Sequence, residues 1–535
     1  MKDTPTMLKR IFSLLFLSVF LFSFFTACSK KKSVSSSGSD QTFVFNNRTE
    51  PEYLDPGLAA DTQSSNVIVN LFEGLTRYHP KDLSVLPGVA HSWKISTDGK
   101  TYTFFLRQDA KWSDGSAVTA EDFVYSWRRV VNPSTASNYA SLLYSIKNAR
   151  EINSGKEKPE TLGVKALDPY TLEVQLENPT PYFLHLTQFY TYAPVQKKTL
   201  DAFGDDWTRQ EHIVSNGPFI LTEWIPQKHI VMEPNPHYWG RDEVKLKKIY
   251  FLAIEDLETS LKKYLAGEIH FLDELPPIKL DALRNRADFV DGPWLGTYYI
   301  EVNTTRPILN QKLVRQALAH AIDRKQLVAV LKKGIPSSTM TPENVNNYIP
   351  PSGHEFNIEK AKQLLAEAGY PEGKGFPKFV ISYNTHQTHQ IAMEVVQNML
   401  NKNLGINVEV QNLEFKVLLK QRAALAHDLA RAGWIGDFLD PYTFLELYTT
   451  TSGNNHSGWS NKEYDDLIQL SNTILDPQKR NEVLQKAERI LLDESPIVPL
   501  YTYTEPSLIS PKVTGIYHNL QNIVPLRNVS MGENK

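Results

Sequence analysis

The stretch "RAGWIGDFLDPYTF", which begins at Arg431, places two acids, Asp437 and Asp440, three residues apart. Asp440 precedes Pro441 and an apolar run, a pattern typical of a helix start with Asp as the N-cap and Pro at the first helical position. Asp437 has no such explanation, because its neighbours are small or apolar. A carboxylate among apolar residues is costly unless a cation or hydrogen-bond donors meet it. The pattern therefore raises the question of which positive group Asp437 meets.

Patterns typical of catalysis are weak in this chain. The nucleophile elbow Gly-x-Ser-x-Gly and the common phosphate-binding glycine loops do not occur. His386 and His389 stand three residues apart, close enough on a helix to share a metal, but no Glu lies between them and no third ligand is evident. The two histidines are better explained by a polar helix start. We therefore expect neither an enzyme nor a bound cofactor or metal.

Length and charge narrow the class of protein. The chain has 535 residues, which predicts two or three domains, and its 41% hydrophobic and 22% charged residues are typical of a folded globular protein. The formal net charge is -3, so we expect no strongly basic face and no nucleic-acid partner.

The N-terminus has the pattern of an export signal. Lys9 and Arg10 precede an apolar run over 11–25, and the chain's single cysteine, Cys28, follows. The sequence "FTAC" resembles the bacterial lipobox, with Phe25 in place of the usual Leu; an ordinary signal peptide with a chance cysteine is the alternative. The pattern predicts a lipoprotein signal peptide over 1–27, lipidation at Cys28 and a flexible Ser-rich tether over 28–41. The protein would then be lipid-anchored in the periplasm or at the outer face of the cytoplasmic membrane.

Strand and helix patterns alternate along the rest of the chain, which predicts an α/β architecture. "TFVFNN" (42–47) alternates like a strand, and "TAEDFVYSWRRVV" (119–131) begins like a helix with a capping box of Thr119 and Asp122. Apolar spacing predicts a helix that includes Val67, Leu71 and Leu75. It also predicts a single helix from residue 313 that continues through "DRKQLVAVL" (323–331).

Ordered motifs along nearly the whole chain resemble one family. They include "NLFEGL" (70–75), "FFLRQDAKWSDGSAVTAEDFVYSW" (104–127), "SNGPFILTEW" (215–224), "VRQALAHAID" (314–323), "ARAGWIGDFLDPYTFL" (430–445) and "SGWSNKEYDDLI" (457–468). The family is that of the peptide-binding proteins of bacterial ABC importers, solute-binding protein family 5, and the oligopeptide-binding type is the nearest resemblance. It implies a periplasmic-binding-protein-like class II fold, with two lobes joined by hinge strands and a smaller third domain.

The resemblance also implies domain boundaries. Lobe I would be discontinuous, formed by 42–72, 195–295 and 500–535, and the smaller domain would span 73–194. Lobe II would span 296–499, with hinge strands near "GTYYIEVN" and "PIVPLY". Such proteins close their lobes around a ligand, and a monomer is expected.

In the family, the acid at the position of Asp437 pairs with the α-ammonium group of a peptide. Backbone groups of Gly433, Trp434 and Ile435 would receive the peptide as an added strand, which reads main chain only. Arg431 would meet the carboxylate of a short peptide; its alternative role is a salt bridge to a neighbouring acid.

Two further positions are implied to line the ligand. Tyr139, from the smaller domain, would contact the peptide backbone, and Thr62 falls on another ligand-lining segment. Trp434 would wall a side-chain pocket or, equally, pack in the core. Some members pair a hinge cysteine with one in the "GW" motif; Gly296 and Ile435 occupy those places here. The segment 332–356 also looks shorter than its usual counterpart, which leaves ligand length open.

The expected function is capture of short peptides for delivery to an ABC-type membrane permease. The same fold could instead hold one compact ligand, such as a dipeptide or a glutathione-like tripeptide, between Asp437 and Arg431. A third hypothesis, an exported peptidase or chaperone, has no nucleophile–base set or metal cluster to support it.

Overall fold

Strands and helices alternate through the computed structural model, which describes residues 41–532. The strands are β1 (Thr42–Asn46), β2 (Thr76–Tyr78), β3 (Val85–Pro87), β4 (Ala90–Ile95), β5 (Thr101–Leu106), β6 (Val164–Asp168), β7 (Thr171–Gln175), β8 (Phe219–Ile225), β9 (His229–Pro234), β10 (Lys248–Leu252), β11 (Phe271–Leu272), β12 (Phe289–Val290), β13 (Pro293–Val302), β14 (Ile335–Pro336), β15 (Phe379–Asn384), β16 (Val408–Leu413), β17 (Leu429–Ile435), β18 (Ile497–Thr504), β19 (Ser507–Ile509), β20 (Val513–Thr514) and β21 (Ser530–Met531). The helices are α1 (Thr62–Leu71), α2 (Ala120–Val131), α3 (Ala149–Asn153), α4 (Phe183–Leu186), α5 (Lys197–Phe203), α6 (Leu257–Leu265), α7 (Leu280–Leu283), α8 (Lys312–His320), α9 (Arg324–Leu331), α10 (Ile358–Glu367), α11 (Gln387–Leu404), α12 (Phe415–Ala423), α13 (Tyr442–Leu445), α14 (Lys462–Ser471) and α15 (Pro477–Glu494). The predicted α/β class is confirmed.

A seven-stranded mixed sheet gathers distant parts of the chain in the order β12-β19-β11-β1-β10-β9-β8. Strand β1 lies parallel to β10 and to β11. Its residues Phe43 and Phe45 are fully buried, because alternate side chains of the strand point to one face. Residues from the start, middle and end of the chain therefore share one sheet.

A four-stranded antiparallel sheet, β4-β5-β7-β6, belongs to the region predicted as the smaller domain. Helix α2 packs beside it and begins with the predicted capping box, in which the backbone N–H of Thr119 donates to Asp122 Oδ2 at 2.7 Å. Buried residues of this region and of the seven-stranded sheet form one continuous apolar core, which includes Phe43 and Phe104.

A six-stranded sheet of order β14-β18-β13-β17-β15-β16 has the two predicted hinge strands, β13 and β18, as antiparallel neighbours near its centre. Gly296 of β13 lies directly opposite Ile435 of β17. The two positions at which the family resemblance implies a cysteine pair in some members are therefore adjacent in this fold. The division into lobes stays a prediction.

Two predicted helices were wrong in extent. Helix α1 is capped by Asp61 and ends at Leu71, so Leu75 lies outside it. The single helix predicted from residue 313 to 331 is two helices, α8 and α9, because Asp323 interrupts it as an N-cap: its carboxylate accepts the Gln326 N–H at 3.0 Å.

The predicted signal peptide, Cys28 and the tether up to residue 40 lie outside the described residues. Within 41–532, no helix combines the length and apolar character that a membrane span requires.

Candidate ligand-binding site

Strand β17 carries most of the predicted site, and one of its edges is largely open. On one side it pairs with β13 from Leu429 to Ile435. On the other side β15 pairs only with Leu429 and Ala430. In the described part of the chain, residues 431–435 therefore have no ladder partner on that side. Unpaired backbone N–H and C=O groups along an edge are the template for an added strand.

Gly433 lets the β17 backbone lie close to a neighbouring tyrosine. A Cβ atom built at this position would lie 2.3 Å from the hydroxyl oxygen of Tyr503. Any side chain would therefore displace Tyr503, so glycine is required for close approach rather than for an unusual backbone angle.

Asp437 lies two residues beyond the end of the strand, and its backbone N–H donates to Thr443 Oγ1 at 3.2 Å. Trp434 is held by the same hydroxyl, since its ring N–H donates to Thr443 Oγ1 at 3.4 Å. The Asp437 carboxylate, in contrast, forms no hydrogen bond or ion pair with any residue between 41 and 532. Burial raises the pKa of Asp437 to about 6. This acid is desolvated and is paired with no cation from residues 41–532.

Two cavities meet at Asp437. The smaller, of about 220 Å³, is also lined by three other predicted residues, Thr62, Tyr139 and Ile435. The larger, of about 680 Å³, is lined by Trp434 and by aromatic residues from both sides, among them Tyr144, Tyr182, Phe438 and Tyr442. The structure thus brings five of the predicted residues to one cleft. Burial, and next the charge of Asp437, raise the pKa of Tyr139, as expected for a hydroxyl near this carboxylate.

A second acid, Glu446, lines the larger cavity and was missed by the sequence analysis. It lies in the apolar run "TFLELY", where nothing in the sequence distinguishes it from a solvent-facing helix residue. Burial raises the pKa of Glu446 to about 7, and the charge of Asp437 adds to the rise. Two acids without a bonded cation therefore face the same space.

Arg431 lines neither cavity; aromatic and amide side chains surround it. Its Nη1 donates to Asn384 Oδ1 at 3.2 Å and its Nη2 to the Tyr503 hydroxyl at 3.1 Å, while its guanidinium carbon lies 4.7 Å from the ring centroid of Tyr298. Its Nε is buried without an acceptor. The alternative salt bridge is not formed with any acid of the described range, so this cation is as unpaired as Asp437.

His389 contacts one of the side chains around Arg431: its Nδ1 lies 3.2 Å from the Tyr298 hydroxyl oxygen. Burial, followed by the charge of Arg431, lowers its pKa to about 3, so the ring is neutral at physiological pH. His386 accepts the Thr388 N–H at 3.2 Å and caps helix α11, which confirms the predicted polar helix start. No group of three metal-ligating side chains occurs within residues 41–532.

Comparisons with known proteins decide the family. A family model described as bacterial extracellular solute-binding proteins, family 5, matches residues 84–456. The chain belongs to family 5 of the bacterial extracellular solute-binding proteins. This solute-binding protein is 38% identical over 496 residues to the oligopeptide-binding protein OppA of Bacillus subtilis, covering 89% of the chain and 90% of that relative. It is 38% identical over 488 residues to the periplasmic murein peptide-binding protein MppA of Escherichia coli, with coverage of 89% and 90%.

Solved structures confirm the predicted fold. The unliganded open form of MppA superposes with a TM-score of 0.85 at 36% identity, covering 92% of this chain and 98% of that one. Haemophilus influenzae OppA in complex with the peptide RPPGFSPFR superposes with a TM-score of 0.71 at 34% identity, covering 93% and 100%.

Proposed function

We propose that this protein captures short peptides that have a free amino terminus. The observation that carries the proposal is the Asp437 carboxylate, which is desolvated and unpaired where two cavities meet. A peptide α-ammonium group supplies both a positive charge and charge-assisted hydrogen-bond donors. Lobe closure would exclude the remaining water and strengthen that contact, because charges interact more strongly at low dielectric constant.

The open edge of β17 supports main-chain recognition. A peptide that pairs with residues 431–435 would be held by backbone hydrogen bonds whatever its side chains are. Asp437 at the end of the strand then sets the register, and the larger cavity receives side chains against Trp434. Thr62 and Tyr139 would close the other side of the ligand.

Arg431 is proposed as the partner of the peptide carboxylate. It stands six residues before Asp437, which corresponds to at most about 20 Å of extended chain. An extended peptide of up to about six residues would therefore be long enough to reach both charges. The unfilled Nε of Arg431 leaves a donor available for that carboxylate.

The remaining parts of the proposal extend beyond the site. We propose that the protein is a non-enzymatic, monomeric receptor, held at the outer face of the cytoplasmic membrane through lipidated Cys28, and that it delivers its ligand to an ABC-type permease. The family description as extracellular solute-binding proteins and the names of the relatives support the binding role and the extracytoplasmic location in this proposal.

A single compact ligand is a second candidate, because a relative that superposes with a TM-score of 0.85 is described as a murein tripeptide-binding protein. Mass spectrometry of the ligand that copurifies from native membranes separates the two candidates. A mixture of peptides supports general peptide capture, and one defined compound supports the specialised receptor.

The test of the site is Asp437→Ala, measured by calorimetry with a free-amino peptide and with its N-acetylated form. The substitution and the acetylation should each weaken binding by about 2–5 kcal/mol, as loss of one partner of a buried charge pair does. Asp109→Ala, at an exposed acid outside the cleft, is the matched control and should leave binding unchanged. Equal affinity for free and acetylated peptides would refute the role of Asp437.

A further inference from the structure

A small further cavity of about 60 Å³ lies beside the smaller cleft cavity. It is bounded by the end of helix α1, strand β2 and the C-terminal segment around residues 525–528. Val69, Tyr78 and Tyr190 line both this cavity and the smaller cleft cavity, so the two spaces are neighbours. None of the residues proposed to bind peptide lines it, and it requires an explanation of its own.

The charged residues that line the cavity are two arginines, Arg77 and Arg527, and one acid, Glu73. The Glu73 carboxylate is already occupied: its Oε1 accepts the Trp239 ring N–H at 2.7 Å, and its Oε2 accepts the Tyr238 hydroxyl at 2.5 Å and Arg527 Nη1 at 3.2 Å. Glu73 therefore compensates Arg527, and within residues 41–532 it forms no hydrogen bond or ion pair with Arg77.

Arg77 has no ion-pair partner within the described range, and its Nε donates to the Pro87 carbonyl at 3.0 Å. Burial, followed by the charge of Arg527, lowers the pKa of Arg77. A third guanidinium, that of Arg107, adds positive charge nearby, since it stacks on the Trp239 ring at 3.7 Å, although it does not line the cavity. Glu243 pairs with Arg527 from outside. The cluster thus has three arginines and two glutamates, an excess of one positive charge.

Two lining side chains also have unused hydrogen-bonding atoms. Arg527 is 5% exposed and its Nη2, a donor, is buried with no acceptor. Gln188 is 6% exposed and its Oε1, an acceptor, is buried with no donor. Buried polar groups are normally satisfied, so atoms of this kind indicate a missing partner. Arg527 Nη2 lies beside Gly240, which does not line the cavity, so the partner that the lining itself requires is one that accepts from Arg77 and donates to Gln188 Oε1.

We infer that this cavity is a binding site for a small oxyanion that retains an O–H group, of which hydrogen phosphate is the simplest. Its negative charge would balance Arg77, and its oxygens would accept from guanidinium N–H groups, a favoured geometry for phosphate. Its O–H group would donate to Gln188 Oε1. The space corresponds to a few water molecules at about 10–15 Å³ each, which admits a free anion of this size.

The experiment titrates the ligand-free protein with inorganic phosphate at constant ionic strength, followed by calorimetry and by the thermal transition. Sulfate, which has no O–H group at neutral pH, and chloride are the reference anions. We expect one phosphate per chain, bound more tightly than sulfate, and no comparable effect of chloride. If phosphate binds no more tightly than chloride, the inference is overturned. If sulfate and phosphate bind equally, the proposed role of the O–H group is overturned.

Two substitutions locate the site. Arg77→Gln should weaken phosphate binding by about tenfold or more, the loss of one charge-assisted contact, while peptide binding stays unchanged. Arg107→Gln is the matched control, because it removes a positive charge of the same cluster from outside the cavity. An equal loss in both variants would mean general electrostatic attraction and would refute the site.

Ala193→Leu provides a test that alters no charge. Ala193 lines the cavity, and a larger side chain there fills the space while all three arginines remain. Loss of phosphate binding in this variant supports the inference even if Arg77→Gln fails to fold, and full binding refutes it. Peptide affinity measured in the same samples separates this result from the proposed function, since the two sites share no charged residue.

Discussion

Asp437 and Asp440 stand three residues apart on one segment, yet their carboxylates have opposite surroundings. Asp440 is 1% exposed and forms a two-armed ion pair with Arg480, with Oδ2–Nη1 and Oδ1–Nη2 distances of 2.7 and 2.8 Å. It also accepts the Tyr442 N–H at 2.9 Å, just before helix α13. Asp437 has none of these partners within the described range. The fold completes one site and leaves the other incomplete.

The difference separates an acid that stabilises the structure from one that we assign to a ligand. Fully paired, Asp440 joins the segment to helix α15 through Arg480, whereas an unpaired desolvated carboxylate lowers stability. Local departures from the rules of stable packing are expected at functional sites. The predictions below test this contrast, from the largest expected effect to the smallest.

Asp440→Asn should destabilise the protein by about 3–5 kcal/mol, because it leaves the buried guanidinium of Arg480 without a counter-charge. Denaturant unfolding measures the change. Asp466→Asn is the matched control: its exposed pair with Lys462 should contribute less than about 1 kcal/mol. An unchanged free energy of unfolding in Asp440→Asn would contradict the contrast between the two acids. Partial recovery of stability on the additional change Arg480→Met would support it.

Asp437→Asn should have the opposite effect on the ligand-free protein. The folded-state pKa of Asp437 is raised from 3.8 to about 6, so the folded state binds this proton more tightly than the unfolded state does. Stability from this group is therefore full at low pH and is lost as the pH rises from about 4 through 6. The asparagine variant should be about 1–3 kcal/mol more stable at pH 7, with the gain vanishing near pH 4.

Thermal unfolding at several pH values, without peptide, measures this gain. A variant that is less stable than the parent at pH 7 would show that the Asp437 carboxylate has a favourable partner within the protein.

The affinity for a free-amino peptide should fall as the pH decreases below about 6, by up to about tenfold per pH unit, because the ammonium group requires the ionised form of Asp437. Calorimetry between pH 5 and pH 7.5, a range that extends to both sides of this pKa, follows the decrease. Asp437→Asn should flatten the profile. A profile that is already flat in the parent protein would contradict the proposed charge pair.

Glu446→Gln should weaken binding of the same peptide by only about twofold to fivefold, as expected for a charge that attracts the ligand without contacting it. The loss should diminish at high salt, which screens such long-range attraction. An effect as large as that of Asp437→Ala would show instead that Glu446 contacts the ammonium group, and the roles of the two acids would have to be exchanged.

Much of the fold could be predicted because its signals are local. The capping box of Thr119 and Asp122 and the alternation of strand β1 depend on residues close in sequence. The break between α8 and α9 could have been found as well, since Asp323 is a strong N-cap within the apolar pattern. The break was missed because the apolar residues on both sides of Asp323 follow a helical period.

The site was predictable only in part, because its decisive features depend on distant residues. The motif indicated Asp437 and Arg431, and the structure places Asp437 with Thr62, Tyr139 and Ile435 at one cavity. No sequence signal connects Asp440 with its ion-pair partner, or Arg431 with the tyrosines that surround it, since these contacts span tens of residues. Glu446 was missed for the same reason.

The unpaired edge of strand β17 also has a consequence for the ligand-free protein. An exposed row of amide and carbonyl groups would also accept a strand from another partly unfolded chain, which is the first step of aggregation. Here the row is only about five residues long and opens into a cleft walled by Tyr139 and Trp434. We expect such a cleft to admit one extended strand and to hinder a second sheet, which would also protect the protein against self-association.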